Sequence, residues 1–396
     1  MTRRWWWGGA AWLGCLWAGC RPAATPPEPT AASVADLLGG AAGAAAGFVR
    51  ATAVPQLEFP RDHGPHPGFR TEWWYLTGNL QDRAGRRFGV QLVFFRQALA
   101  PFATARRAAS AAHELVLAHA AVTDVDGGRF HHEQRLARHA AGLAVLNGPA
   151  PGQPLHLACD DWSMRGVAQD GGLQVDGQLP LELRAGGRDF AFALRAGTGK
   201  PLVLQGDRGL SAKGPEPGNA SIYYSLPRLP LEGTVTVLGV DHAVTGQGWF
   251  DREWSTSALA DDVVGWDWFA LQLDSGEEVM WYQLRRPDGT ATAQSRGVLV
   301  AADGAAQPLL AGAVAAVPEG RWVAPDGAAS YPARWRLAAA DGAFELAVVP
   351  LLADQELHTV VRYWEGAVSV TGLRAGRPVL GVGYLEMTGA RGGGRR

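Results

Sequence analysis

Side chains along much of this chain alternate with a period of two, which rules out most of the ways in which 396 residues can fold. Phe88, Val90, Leu92 and Phe94 fall on one side of a strand, and Gly89, Gln91, Val93 and Phe95 on the other. Similar runs occur at 115–123, 172–183, 234–240, 266–273, 279–284, 333–337, 344–349, 360–370 and 379–387. Asp126-Gly127, Gly171-Gly172, Asp288-Gly289, Asp303-Gly304 and Asp341-Gly342 separate many of them with the composition of hairpin turns. One stretch, 103–117, has helical character, but nothing has the strand–helix–strand spacing of a parallel sheet. The pattern predicts an all-β chain made of two tandem antiparallel barrels or sandwiches. Pro227 and Pro230 interrupt strand pairing, which places the division there, with an N-terminal domain over 55–230 and a C-terminal one over 231–390.

The first 20 residues read as a leader. Arg3 and Arg4 form a positive start, Trp5 to Trp17 a short apolar stretch, and Ala18-Gly19-Cys20 a lipoprotein cleavage site, although Trp17 stands where Leu is usual. Cleavage nearby with simple secretion is the alternative. The apolar stretch is too short to span a bilayer. Residues 21–54, rich in Ala, Pro, Gly and Thr, read as a tether. The expected location is therefore the periplasm or cell envelope, with a lipid on Cys20 as membrane anchor. Cys159 is then the single thiol of the folded body, which excludes a structural disulfide and suits a small buried hydrophobe. A formal net charge of -2 gives no basic field, so nucleic acid is excluded as a partner.

Candidate chemistry lies where acids sit among rings. The stretch from Asp62 to Leu80 sets Asp62, His63, His66 and Glu72 beside Trp73, Trp74 and Tyr75. By alternation Glu72 shares a face with Trp74 and Leu76, and Arg96 shares one with Phe94 and Leu92. A charge on an apolar face needs a partner, so Glu72 and Arg96 are expected to pair, either fixing strand register or serving a site. Asp267 shares a face with Phe269, Leu271 and Leu273. Inside a barrel it would be desolvated, kept protonated and able to act as an acid; at the strand entrance it would be a solvated carboxylate. In Trp249-Phe250-Asp251-Arg252-Glu253-Trp254, Arg252 is either clamped by carboxylates as scaffold or presents Asp251 or Glu253 to a cavity. His63 and His66 lack the helical spacing of zinc hydrolases and suit a loop over a barrel mouth. There is no Gly-x-Ser-x-Gly elbow for serine-esterase chemistry and no Gly-rich nucleotide loop; neither a metal nor a cofactor is expected.

The blocks 59–64, 71–80, 88–89 and 94–96, with Trp249–Ser255, Trp266–Phe269, Tyr363–Gly366 and Gly383–Gly389, resemble the carotenoid 1,2-hydratase (hydroxyneurosporene synthase) superfamily, and within it the AttH-like branch of secreted hydrolases. The resemblance covers roughly residues 55 to 390 and implies two lipocalin-like barrels. It also implies an apolar ligand, a lipid or isoprenoid, and either hydration of a C=C bond or hydrolysis. Hydration needs a proton donor and a cavity that tolerates a cation, which aromatic faces can stabilise. The matching acid is Asp267, supported by Glu72 and Arg96, and Asp267→Asn is expected to abolish turnover. The candidate ligand-contacting rings are Trp74, Trp254, Trp266, Trp268, Tyr282, Tyr363 and Trp364. A second reading from another class is a non-catalytic carrier or chaperone that passes lipids to an ABC-type exporter.

Overall fold

The computed structural model describes residues 46–101, 113–139, 142–149, 153–167, 180–256 and 259–389. The alternation around Phe88 and Phe95 becomes the strand Arg87–Ala98, which pairs with Thr71–Asp82 on one side and Glu114–Asp124 on the other. Strands up to Ser255 form one antiparallel sheet of 13 strands among the described residues, and strands from Gly265 onward form a second of 10. The only helical turn among the described residues is the short 3-10 segment Arg61–His63. Of the stretch 103–117, with its helical character, 114–117 is strand and 103–112 lies outside the described residues.

Each sheet curls into a near-closed barrel, as its twist and inward apolar face require. In the first, Arg135 on the edge strand Arg129–Arg138 reaches the other side of the sheet. Its Nη2 donates to Gly186 O at 3.2 Å and its guanidinium lies 4.6 Å over the Trp162 ring. In the second, the edge strands Ala306–Leu309 and Val314–Val323 follow one another in the chain. Trp74, Leu76, Leu92, Phe94 and Trp162 fill the first barrel, and Phe269, Leu271, Trp281, Trp335 and Trp364 fill the second.

Two expected boundaries move. The change of sheet lies between Ser255 and Gly265, not at 230/231. The strand Ala220–Val237 runs on through both prolines because a β-bulge shifts register between Leu226 and Leu229. Pro227 and Pro230 sit in or beside that bulge, where the ladder is already broken. The described end of the proposed tether is also tied down: Ala51 is buried and bridges to Gly218, and Val49 N donates to Gly68 O at 2.8 Å. The leader, Cys20 and residues 21–45 lie outside the described residues.

The barrels pack through their outer faces. Tyr75, Val93, Tyr223, Trp249, Trp268, Met280, Tyr282 and Tyr384 form a third apolar cluster between them. Asn79 Nδ2 donates to Gly383 O at 3.0 Å, and Gln272 Nε2 to Gly248 O at 2.9 Å. Gly89 has no room for a side chain, since a Cβ there would lie 2.6 Å from the Ala367 Cβ. At one margin the buried Glu278 binds Lys200 Nζ at 2.7 Å and also binds Arg228, so a carboxylate of the second sheet holds two cations of the first.

Candidate active site between the barrels

A barrel fills its interior from one parity of each strand, so the other parity faces outward. Where two barrels pack, that outer parity meets its counterpart. Thr71, Trp73 and Tyr75, Ser221 and Tyr223, and Asp251, Glu253 and Ser255 come from the first sheet. Trp266 and Trp268, Tyr282 and Leu284, Tyr363 and Glu365, and Glu386 come from the second. With Phe95, Lys213 and Leu259 they line a cavity of about 90 Å³. That is several times the space that one water needs.

Four carboxyls enter this aromatic space. Glu365 and Glu386 are direct cross-strand partners. Opposed side chains on neighbouring strands lie about 5 Å apart at Cβ, so a carboxylate on the buried Glu365 and one on the half-buried Glu386 would repel strongly. Burial, and then the charge of Glu386, push the Glu365 carboxyl well above the usual range, against hydrogen bonds from Tyr75 and Tyr363. Burial pushes Glu386 up to about 8, helped by Asp251 and Glu253 and opposed by a hydrogen bond from Trp266. Both carboxyls thus favour the protonated form. Tyr75 OH, from the other barrel, donates to Glu365, and Gln91 Nε2 donates to its second oxygen at 2.8 Å.

Asp251 accepts from Tyr223 OH and Ser225 OH, both at 2.5 Å, and from Trp249 Nε1 at 2.7 Å. Burial outweighs those donors and lifts it to about 7. Glu253 accepts from Ser221 and pairs with Lys213 Nζ at 2.9 Å. Burial alone would lower Lys213, but the Glu253 carboxylate and its other neighbours leave it raised, so it stays an ammonium. Its Nζ lies 4.4 Å from the centre of the Tyr282 ring. The cavity thus carries proton donors at one side and an ion pair at the other.

The residues expected from the sequence divide by parity. Trp266, Trp268, Tyr282 and Tyr363 line the cavity. Trp74 and Trp254 point into the first barrel, and Trp364 into the second. Glu72 and Arg96 do pair, but inside the end of the first barrel, where Arg252 binds the same carboxylate and its guanidinium lies 3.8 Å from the Trp74 ring centre. His66 stacks on Trp254 at 3.8 Å and His63 Nδ1 meets Tyr224 OH at 2.6 Å, so the 62–66 segment plugs this barrel end. Asp267 lies on the inward parity of its strand, where Arg285 Nη1 donates to it at 2.5 Å and Gln283 Nε2 at 2.9 Å. Asp267 is therefore an ion-paired barrel-end residue that does not line the cavity.

The acids that do line it were visible as a pattern. Trp249/Asp251, Tyr363/Glu365 and Tyr384/Glu386 each place an acid two residues after a ring, hence on the same face. Alternation does not say which face turns inward, and both faces of these strands are buried. Asp251 and Glu253 do reach a cavity, while Arg252 between them is scaffold.

The AttH-like family pattern matches residues 50–390 of the chain. The chain belongs to the AttH-like family. Among curated protein sequences none matches it. A crystal structure of an AttH from Nitrosomonas europaea is 34% identical to this AttH-like protein, with a TM-score of 0.74 over 87% of this chain and 100% of that one. Kievitone hydratase from Nectria haematococca shares the fold at 16% identity, with a TM-score of 0.64 over 86% of this chain and 95% of its own. CghA with Sch210972 matches at 15% identity and a TM-score of 0.50, over 82% and 90% of the two chains. The fold of two lipocalin-like barrels in tandem is thus common to AttH and a hydratase.

Proposed function

We propose that this AttH-like protein is a hydratase that adds water to a C=C bond of a hydrophobic small molecule, a lipid or isoprenoid, held between its barrels. One observation carries the reading: Glu365 and Glu386 stand directly opposed in a space walled by indole rings, where burial favours their protonated forms. The shared fold with kievitone hydratase supports it. Glu386 donates its proton to one alkene carbon, leaving a cation at the other. The faces of Trp266 and Trp268 stabilise that cation. Asp251, poised near neutrality, takes a proton from a water as its oxygen bonds to the cation. The cycle closes when that proton returns to the glutamate pair. Tyr75 stands opposite Asp251 in register and is bonded to Glu365, so it lies between the two. The leader and Cys20 support an envelope site of action with a lipid anchor.

The test starts from small molecules that co-purify with the native protein, identified by mass spectrometry. They and the host lipid extract are incubated in ¹⁸O-water with wild type and with Glu386→Gln. Wild type is expected to form a product carrying one added labelled water, and the variant to lose at least about a hundredfold in rate, as for removal of a general acid. Full activity in the variant overturns the mechanism. A ligand retained without any labelled product points to the carrier that works with an ABC-type exporter. Mass measurement of the mature protein, with Cys20→Ser as control, tests the anchor.

A further inference from the structure

We infer that the substrate carries a hydrogen-bond-accepting oxygen, a hydroxyl or carbonyl on an otherwise apolar body, which docks on Lys213 about two strand spacings, or about 10 Å, from the carbon that is protonated. This rests on the hydratase reading of the same cavity and adds to it a substrate class and a polarity. The spacing follows from register. Glu386, Trp268 and Tyr282 are successive cross-strand neighbours in one row of the second sheet. The Lys213 ammonium sits over the Tyr282 ring, two places along that row from Glu386.

Lys213 has the chemistry of an anchor. It lines the cavity, and its side chain is 15% exposed. An ammonium has three N–H donors. Glu253 takes Lys213 at 2.9 Å, and the ammonium lies 4.4 and 5.3 Å from the ring centres of Tyr282 and Tyr223. Ring faces attract the charge but accept hydrogen bonds poorly, so donor capacity is left for a ligand oxygen. The Glu253 carboxylate beside it neutralises the corner and disfavours a fully anionic group, which selects a neutral oxygen. Trp268 lies between the two polar ends and requires an apolar middle.

Binding of biphenyl and of 4-phenylphenol, measured by calorimetry on wild type, Lys213→Met and Lys213→Arg, tests this. Wild type is expected to prefer 4-phenylphenol about tenfold, equivalent to about 1.4 kcal/mol. Lys213→Met should bring the two affinities within about twofold, and Lys213→Arg should keep most of the preference. The readout is a ratio, so a general loss of affinity does not mimic it. No preference in wild type, or a preference that survives Lys213→Met, overturns the inference. Should Lys213→Met bind neither probe, Lys213→Arg decides: a kept preference supports the anchor and a lost one overturns it. Neither probe need be turned over, so failure of hydration leaves this result standing, and the reverse also holds.

Discussion

Glu365 and Glu386 stand opposite each other on adjacent antiparallel strands, both on the face that the second barrel turns toward the first. Their folded-state affinity for protons is raised above that of the unfolded chain, so folding takes up protons as pH rises past the ordinary glutamate value. The stability that this contributes is fully present below about pH 4.5 and is lost as pH rises through about 8. Melting temperature should therefore fall between pH 6 and 9, and Glu365→Gln should flatten that fall. Calorimetric scans of both proteins across this range check it. An equally steep fall in the variant would sink the account.

The acid limb has a different origin. Burial opposes ionisation of Glu72, but Arg252 and Arg96 overcome it and hold the carboxyl well below its usual range. Its contribution is present above about pH 4.5 and is lost as pH falls further. Glu72→Gln leaves two buried guanidinium groups without their shared carboxylate and should cost about 3–5 kcal/mol. Urea denaturation at pH 7 measures it. A loss below about 1 kcal/mol would show that the cluster is not holding the barrel end.

Asp267→Asn should lower stability by about 1–3 kcal/mol through its bonds with Arg285 and Gln283. Because the side chain does not line the cavity, the labelled-water product should still form at a rate within about threefold of wild type. Loss of turnover in a folded Asp267→Asn protein would return the acid role to this residue.

Gly89→Val should separate the barrels. A Cβ at this position meets the Ala367 Cβ at 2.6 Å, and neither carbon can rotate away. Overpacking of this kind costs about 1–3 kcal/mol. Glycine is needed here for close approach of two sheets rather than for an unusual backbone angle. Small-angle scattering of the variant should show a larger radius of gyration than wild type; an unchanged radius with unchanged melting would contradict the packing.

Much of the fold was legible because strand periodicity is local. Phe88 to Phe95 marked the strand Arg87–Ala98, and parity alone brought Glu72 to Arg96. The sheet boundary was not legible: Pro227 and Pro230 argue against a strand, and only the bulge between Leu226 and Leu229 reconciles them with one. The site was half legible. Trp266, Trp268, Tyr282 and Tyr363 line the cavity, but Asp267, the acid expected from the sequence, turns into its own barrel while the cavity lies between the two. Thr71–Asp82 shows the reason: both parities are largely buried, one by its own barrel and one by the neighbouring barrel. Inside and outside are then set by a contact between sheets, which no single strand encodes.

The strand Thr71–Asp82 carries two separable texts. Trp74 and Leu76 write the barrel; Trp73 and Tyr75 write the cavity wall. A lineage could rewrite the second at every other position and leave the first untouched. Such a scaffold can change its ligand while keeping its stability, and a structure that shares the fold at 16% identity shows how little of the sequence that fold prescribes.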